Sequence, residues 1–272
     1  MKALNLTTIA LFVALPAISD TFNIGGKMID IPAPSGYTRV TDEMPELKRL
    51  LDQMVDPLND TLAFYIHEQS APIALSGDIP DLDRYFILKL NKKLRYHNVS
   101  VADFEQLRTT VKLQNQTIMD EVRRQLPSLM DQFNQNLSKE YDATVAFSIS
   151  QMIPLDPHLD SEDAISYSMF INYSIDGGLQ ESVVIPATVT MANPSGRVIL
   201  LYAFGSTDDL DWTRSGSDIW HKHILARNVA APRMRSRNID WTQVGVKAIC
   251  GAIIGVFIAL IMAIRKKRMG MG

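Results

Sequence analysis

The chain has 272 residues, with 27 Lys and Arg against 30 Asp and Glu, a formal net charge of −3 and one cysteine. That balance excludes the broad basic field on which nucleic-acid binding depends. One cysteine leaves no internal disulfide framework, so a folded domain here is held by packing alone.

Residues 1–19 read as a secretory signal: Met-Lys, an apolar run, then Ala17-Ile18-Ser19 as a small-residue cleavage site before Asp20. The mature chain opens on Phe22 to Ile31, alternating enough for a strand pair around Gly25-Gly26, and Tyr37 to Val40 resumes extension after Pro32, Pro34 and Gly36. A first helix is predicted from Pro45 to about Met54, with Leu47, Leu50, Leu51 and Met54 on one face. Leu62 to Ile66 and Tyr85 to Leu90 read as buried strands.

Ser100 caps the next helix, with Asp103 at the reciprocal position of a capping box. Its helical period runs from Phe104 to about Ser138, and Pro127 predicts a kink or break near Leu126. Alternation returns at Val145 to Ile149 and at Ile165 to Ile175. Val183 to Met191 and Arg197 to Phe204 then face each other across Asn193-Pro-Ser-Gly196. These four strands predict an antiparallel meander. The last helix before the linker runs from Thr207-Asp208-Asp209 to Arg227-Asn228, with Trp212, Gly216, Ile219 and His223 on one face. Aspartates gather at its positive end and His221, Lys222, His223 and Arg227 at its negative end.

Residues 229–243 read as a basic juxtamembrane linker in which Arg233, Arg235 and Arg237 offer contacts to anionic headgroups or an acidic partner. Ala248 to Ile264 is uncharged and apolar and covers about 25 Å at about 1.5 Å per residue. Val244 to Val246 extend it if Lys247 snorkels and Trp241 sits at the interface. The expectation is one transmembrane helix over 244–264 and a cytoplasmic tail over 265–272 that opens on Arg265-Lys-Lys-Arg268. Within that helix Gly251, Gly255, Ala259 and Ala263 recur every four residues. Such a stripe suits a homodimer or docking to another membrane helix.

Helix, strands, long helix, meander and closing helix predict an α+β fold over residues 20–228, an antiparallel sheet packed by helices. The stretches Ile31-Pro-Ala-Pro-Ser-Gly-Tyr37, Gly196-Arg-Val-Ile-Leu-Leu-Tyr202 and Asp209-Leu-Asp-Trp-Thr-Arg214 carry a resemblance. The chain resembles uncharacterised membrane-anchored exported proteins of proteobacteria, whose domain is similar to the PsbP-like αβα sandwich. The resemblance covers about residues 27–228 and rests on packing motifs. It implies an accessory or binding role rather than a reaction.

No catalytic, cofactor or metal residues stand out. His221 and His223 lie two apart on a helix, about 200° from each other. His67-Glu-Gln-Ser70 is not followed by the histidine that a zinc helix needs. Asp156 to Asp163, with His158, lacks the glycine and ligand spacing of an EF-hand and reads as a solvated acidic loop. There is no Gly-x-Ser-x-Gly elbow or phosphate loop. The expectation is a non-enzymatic binding module of the bacterial envelope. It is anchored in the inner membrane, with its domain in the periplasm. Two alternatives stay open. One is an envelope hydrolase with an unmarked site, which a polar cleft around His67 or His158 would favour. The other is a eukaryotic type I glycoprotein using the sequons at Asn59, Asn98, Asn115, Asn136 and Asn172.

Overall fold

The computed structural model describes residues 19–52, 56–113, 115–141, 146–176, 181–233 and 239–268, with the side chains of the last helix described as far as Val256. Residues 1–18 of the expected signal segment lie outside the described residues.

Strands β1 (Ser19–Ile24) and β2 (Lys27–Pro32) form the antiparallel hairpin expected around Gly25-Gly26. Gly25 has φ +57°, and a Cβ there would meet the backbone of Arg95 and Tyr96, so the turn needs glycine. The main sheet runs β3 (Tyr37–Arg39), β4 (Asn59–His67), β5 (Tyr85–Asn91), β10 (Ile199–Phe204), β9 (Glu181–Ala192), β8 (Ala164–Asp176) and β6 (Ala146–Pro154), with the short β7 (Leu159–Asp160) also on β8. Every pairing is antiparallel. The predicted meander is the run β6, β8, β9, β10.

Helix α1 (Pro45–Asp52) buries Leu47 and Leu50, and the short α2 (Ala71–Leu75) follows β4. Helix α3 (Val101–Leu113) starts on the expected capping box: Asp103 Oδ2 accepts the Ser100 N–H at 3.1 Å, and Ser100 Oγ accepts the Asp103 N–H at 3.2 Å. Pro127 does not end its helix. Helix α4 (Asn115–Tyr141) runs on through Pro127. Pro127 is exposed, so water can serve the carbonyl that its missing N–H leaves free.

Central strand β10 is buried on both faces, and its alternation feeds two cores. Ile199, Leu201 and Ala203 join Trp220 and Ile224 of α5 (Leu210–Arg227) and Ile24, Ile29 and Ile31 of the hairpin. Leu200, Tyr202 and Phe204 join α1, α3, α4 and the final helix α6 (Trp241–Arg268). The layering is therefore helix, sheet, helix, an α+β arrangement as expected.

Helix α5 packs through Thr213, Ser217, Trp220, His221 and Ile224, a stripe rotated from the one read in the sequence; Ile219 and His223 are exposed. The rotation follows from a seam of hydroxyls that the apolar pattern does not show. Thr190 Oγ1 bonds both Ser166 Oγ (2.7 Å) and Ser217 Oγ (2.6 Å), and Thr188 Oγ1 bonds Ser168 Oγ and Thr213 Oγ1 (both 2.9 Å). Gly216 does face the sheet: a Cβ there would lie 2.9 Å from Phe86 Cζ.

The largest departure concerns α6. Among the described residues no helix is long and apolar enough to cross a membrane. Residues from Val244 to Val256 are buried against the domain's own sheet and against α3 and α4. Lys247 and Trp241 do not point outward as a membrane reading requires; both are buried, and Trp241 Nε1 donates to Gln106 Oε1 at 3.4 Å. The linker is strapped at its start, where Val229 O accepts the Ser195 N–H (2.9 Å) and Pro232 O the Val101 N–H (3.0 Å).

Replacing Gly216 by Leu should overpack the α5–Phe86 contact and cost about 1–3 kcal/mol. A urea titration of the purified protein checks this; an unchanged midpoint would contradict the packing.

Candidate functional site

The face of the sheet under α6 holds the most unusual chemistry in the fold. Lys89 on β5 points into this core with Nζ 2.9 Å from Asp56 Oδ2, and the two side chains are 2% and 1% exposed. Asp56 Oδ1 accepts the N–H groups of Leu58 (2.9 Å) and Asn59 (3.0 Å), and Asp56 Oδ2 accepts Asn59 Nδ2 at 3.0 Å. Burial pushes the Asp56 carboxyl up, but the Lys89 charge and these hydrogen bonds outweigh it and hold the group below the usual carboxylate range. Buried charges persist only when paired and saturated in this way.

Four side-chain donors of this face reach backbone carbonyls of α6. Asn59 Nδ2 donates to Lys247 O (3.0 Å), Tyr202 OH to Ala248 O (2.9 Å), Lys89 Nζ to Gly251 O (3.2 Å) and Tyr85 OH to Gly255 O (3.0 Å). The close approach of the sheet at the last two carbonyls depends on glycine. A Cβ at Gly251 would lie 2.5 Å from Tyr202 OH, and one at Gly255 would lie 2.7 Å from Phe204 Cε2. Tyr85, Phe204 and Tyr202 stack in sequence beneath the helix, at 4.8 Å and 6.2 Å between ring centroids.

Gly251 and Gly255, read in the sequence as a surface for another helix, are thus brought onto the chain's own sheet. Ala259 and Ala263 lie on the continuation of α6, beyond the described side chains. Of the basic linker residues, Arg233 is exposed, while Arg235 and Arg237 lie outside the described residues.

A second candidate is an open polar cleft of about 720 Å³ lined by His67, Asp81, Asp83, Arg84, Asp208 and Asp209, among others. It sits where the end of β4, the start of β5 and the N-terminus of α5 converge. Arg84 holds Asp209 through two bonds (Nη2 to Oδ1, 2.6 Å; Nε to Oδ2, 3.0 Å) and lies 5.0 Å over the Trp212 ring. The Arg84 hydrogen bond keeps the Asp209 carboxyl below its usual range. His67 Nδ1 accepts the Gln69 N–H at 3.2 Å, and its ring meets Tyr37 edge-on at 5.3 Å. His67 and Asp209 are therefore engaged in building the cleft, while Asp83 and Asp208 face solvent. The carboxylates of the cleft can attract cationic groups.

The remaining sequence candidates are structural. The acidic loop is exposed at Asp156, Asp160 and Glu162, as expected, and Asp160 also accepts Lys112 and Arg108 (both 2.5 Å), bonds that hold its carboxyl low. His158 Nε2 lies 3.5 Å from Asp218 Oδ1 of α5, and burial pushes its pKa down. His221, expected as a charged partner for the helix end, is buried, with Nδ1 3.4 Å from Ser217 O, and burial also lowers its pKa. Among the described residues no group of three His, Cys, Asp or Glu stands ready to hold a metal ion. Asn59 is 1% exposed and serves the Asp56 cluster, so that sequon is closed to a glycan in this fold.

No family model and no curated protein matches the sequence. Among solved structures, the chain is similar to the cyanobacterial PsbP protein (CyanoP) from Synechocystis sp. PCC 6803, at 12% identity and a TM-score of 0.32, over 80% of this chain and 96% of that one. It is also similar to the Saccharomyces cerevisiae Ran-binding protein Mog1p, at 9% identity and a TM-score of 0.25, over 77% and 92%.

Replacing Asp56 by Asn should strand the Lys89 charge and cost about 3–5 kcal/mol. Adding Lys89→Met to that variant should recover much of the loss. A double-mutant cycle by chemical unfolding measures the coupling, and additive losses would show that the pair does not act as a unit.

Proposed function

We propose that the chain is an exported, non-enzymatic binding or accessory module of the bacterial cell envelope, PsbP-like in its layering and held at the inner membrane by its C-terminal helix. Its α+β domain then stands in the periplasm and the tail after Ile264 in the cytoplasm. The observation that carries this reading is α6 itself, one helix from Trp241 to Arg268. Its apolar run ends on four consecutive basic residues, the charge pattern of a segment that stops at a cytoplasmic face. The export signal before Asp20 supports the same orientation.

The open cleft gives the domain a surface suited to a positively charged segment of an envelope partner, met by Asp81, Asp83 and Asp208. The hydrolase alternative draws on the same cleft, since it surrounds His67. It needs a base free to move protons, whereas His67 Nδ1 is already committed to Gln69 and Asp209 to Arg84.

In native membranes, in-situ crosslinking should recover a mature chain beginning at Asp20, joined reproducibly to one envelope protein through residues 20–228. Reversing the cleft charge with Asp83→Lys and Asp208→Lys should abolish that capture. An uncleaved chain in the cytosol would contradict the export reading. Capture unaffected by charge reversal would move the partner surface away from the cleft.

A further inference from the structure

The two accounts of α6, core helix and membrane anchor, use the same residues. A bilayer core of about 30 Å needs about 20 apolar helical residues. Beyond Val256 the run from Phe257 to Ile264 provides only about 12 Å at about 1.5 Å per residue. Any span must therefore include the segment from Val244 to Val256, which is buried in the domain. A helix seated on the sheet cannot also cross the membrane.

We propose that α6 has two mutually exclusive seats, the Tyr85–Lys89–Tyr202 face of its own domain and the bilayer, and that the sheet face is an intramolecular receptor that sheathes the anchor until it inserts. This rests on the anchored reading above.

The chemistry of the seat suits exchange. In the four bonds that hold α6 to this face, each donor is a side chain of the sheet and each acceptor is a carbonyl of α6 (Lys247, Ala248, Gly251, Gly255). Inside an α-helix each such carbonyl also accepts the N–H four residues on. The helix therefore leaves with its own backbone satisfied, which is the condition for entering lipid. What it leaves behind is tolerable too. Lys89 keeps Asp56 as its partner, Asn59 keeps its bond to the same carboxylate, and the two tyrosine hydroxyls gain water. The departure costs the domain its cover and the helix its Trp241–Gln106 bond, while the helix backbone keeps its own hydrogen bonds.

The recognition is specific to this helix. Bare backbone at Gly251 and Gly255 lets Lys89 and Tyr85 reach their carbonyls past Tyr202 and Phe204, and the same small residues are what a membrane helix uses for close packing. The tether also permits the move. The strap is fixed to the domain at Pro232, and residues 233–240 reach about 26–29 Å when extended.

The test uses the full-length chain in native membranes, with Ile118→Cys and Gly245→Cys in a Cys250→Ala background. A Cβ at residue 245 would lie 3.6 Å from Ile118 Cγ1, close enough for oxidation to trap the seated helix. Membranes are oxidised and then extracted with alkali. We expect disulfide-linked chains in the extract and unlinked chains in the resistant pellet. A second variant, Gly255→Trp in the otherwise native chain, should block the sheet seat against Phe204 and move the population into the pellet. Linked chains that resist extraction would overturn the exclusion. Absence of linkage in every fraction, or a Gly255→Trp chain that partitions as the native one does, would overturn the sheet seat and leave the anchor reading standing. Release of all chains, linked or not, would remove the anchor reading itself and the proposal with it.

Discussion

The ion pair between Lys89 and Asp56 is the constraint around which this fold is arranged. A lysine in a central strand, almost without solvent, is tolerable only with a partner carboxylate and further acceptors within reach. The chain supplies the carboxylate from the turn before β4 and the remaining acceptor from the backbone of α6. That backbone is accessible because residue 251 is glycine. Helix α6 is consequently a wall of the larger core and the lid on a buried charge.

Much of the fold is legible in the sequence. The hairpin at Gly25-Gly26, the capping box at Ser100 and the four-strand meander come from local signals that tertiary contacts reinforce. The misses have physical causes. Apolar periodicity placed α5 by Trp212 and Ile219, whereas the helix is turned by Thr213 and Ser217 meeting Thr188 and Thr190. Alternating Ser166 and Ser168 opposite alternating Thr188 and Thr190 was the available signal, and it is polar, so a search for apolar stripes passes over it. Pro127 predicts a kink or break, but the helix continues through it, because an exposed proline loses only one hydrogen bond, to a carbonyl that water can reach.

The candidate site was hidden for a different reason. Lys89 sits in Phe86-Ile-Leu-Lys-Leu90, where one charge in an apolar strand reads as a solvent-facing residue, and Asp56 lies 33 positions away across a turn. Nothing local joins them. The glycines at 251 and 255 were legible as a surface for close helix approach, and that physical reading holds. Their partner is a sheet lined with aromatic rings, which no spacing rule distinguishes from a second helix. An apolar run that suits a bilayer also suits a core buried on all sides. Sequence alone leaves the two destinations open, and the proposed exchange uses both.

The central claim is that α6 completes the core over Lys89 and Asp56. The most direct measurement compares chemical unfolding of residues 20–272 with that of residues 20–228, each with a dye that reports exposed apolar surface. The account predicts a lower unfolding midpoint and strong dye binding for the shortened chain, because Tyr85, Tyr202 and Phe204 lose their cover. A shortened chain that unfolds at the same midpoint without binding dye would contradict it, and would place α6 outside the core.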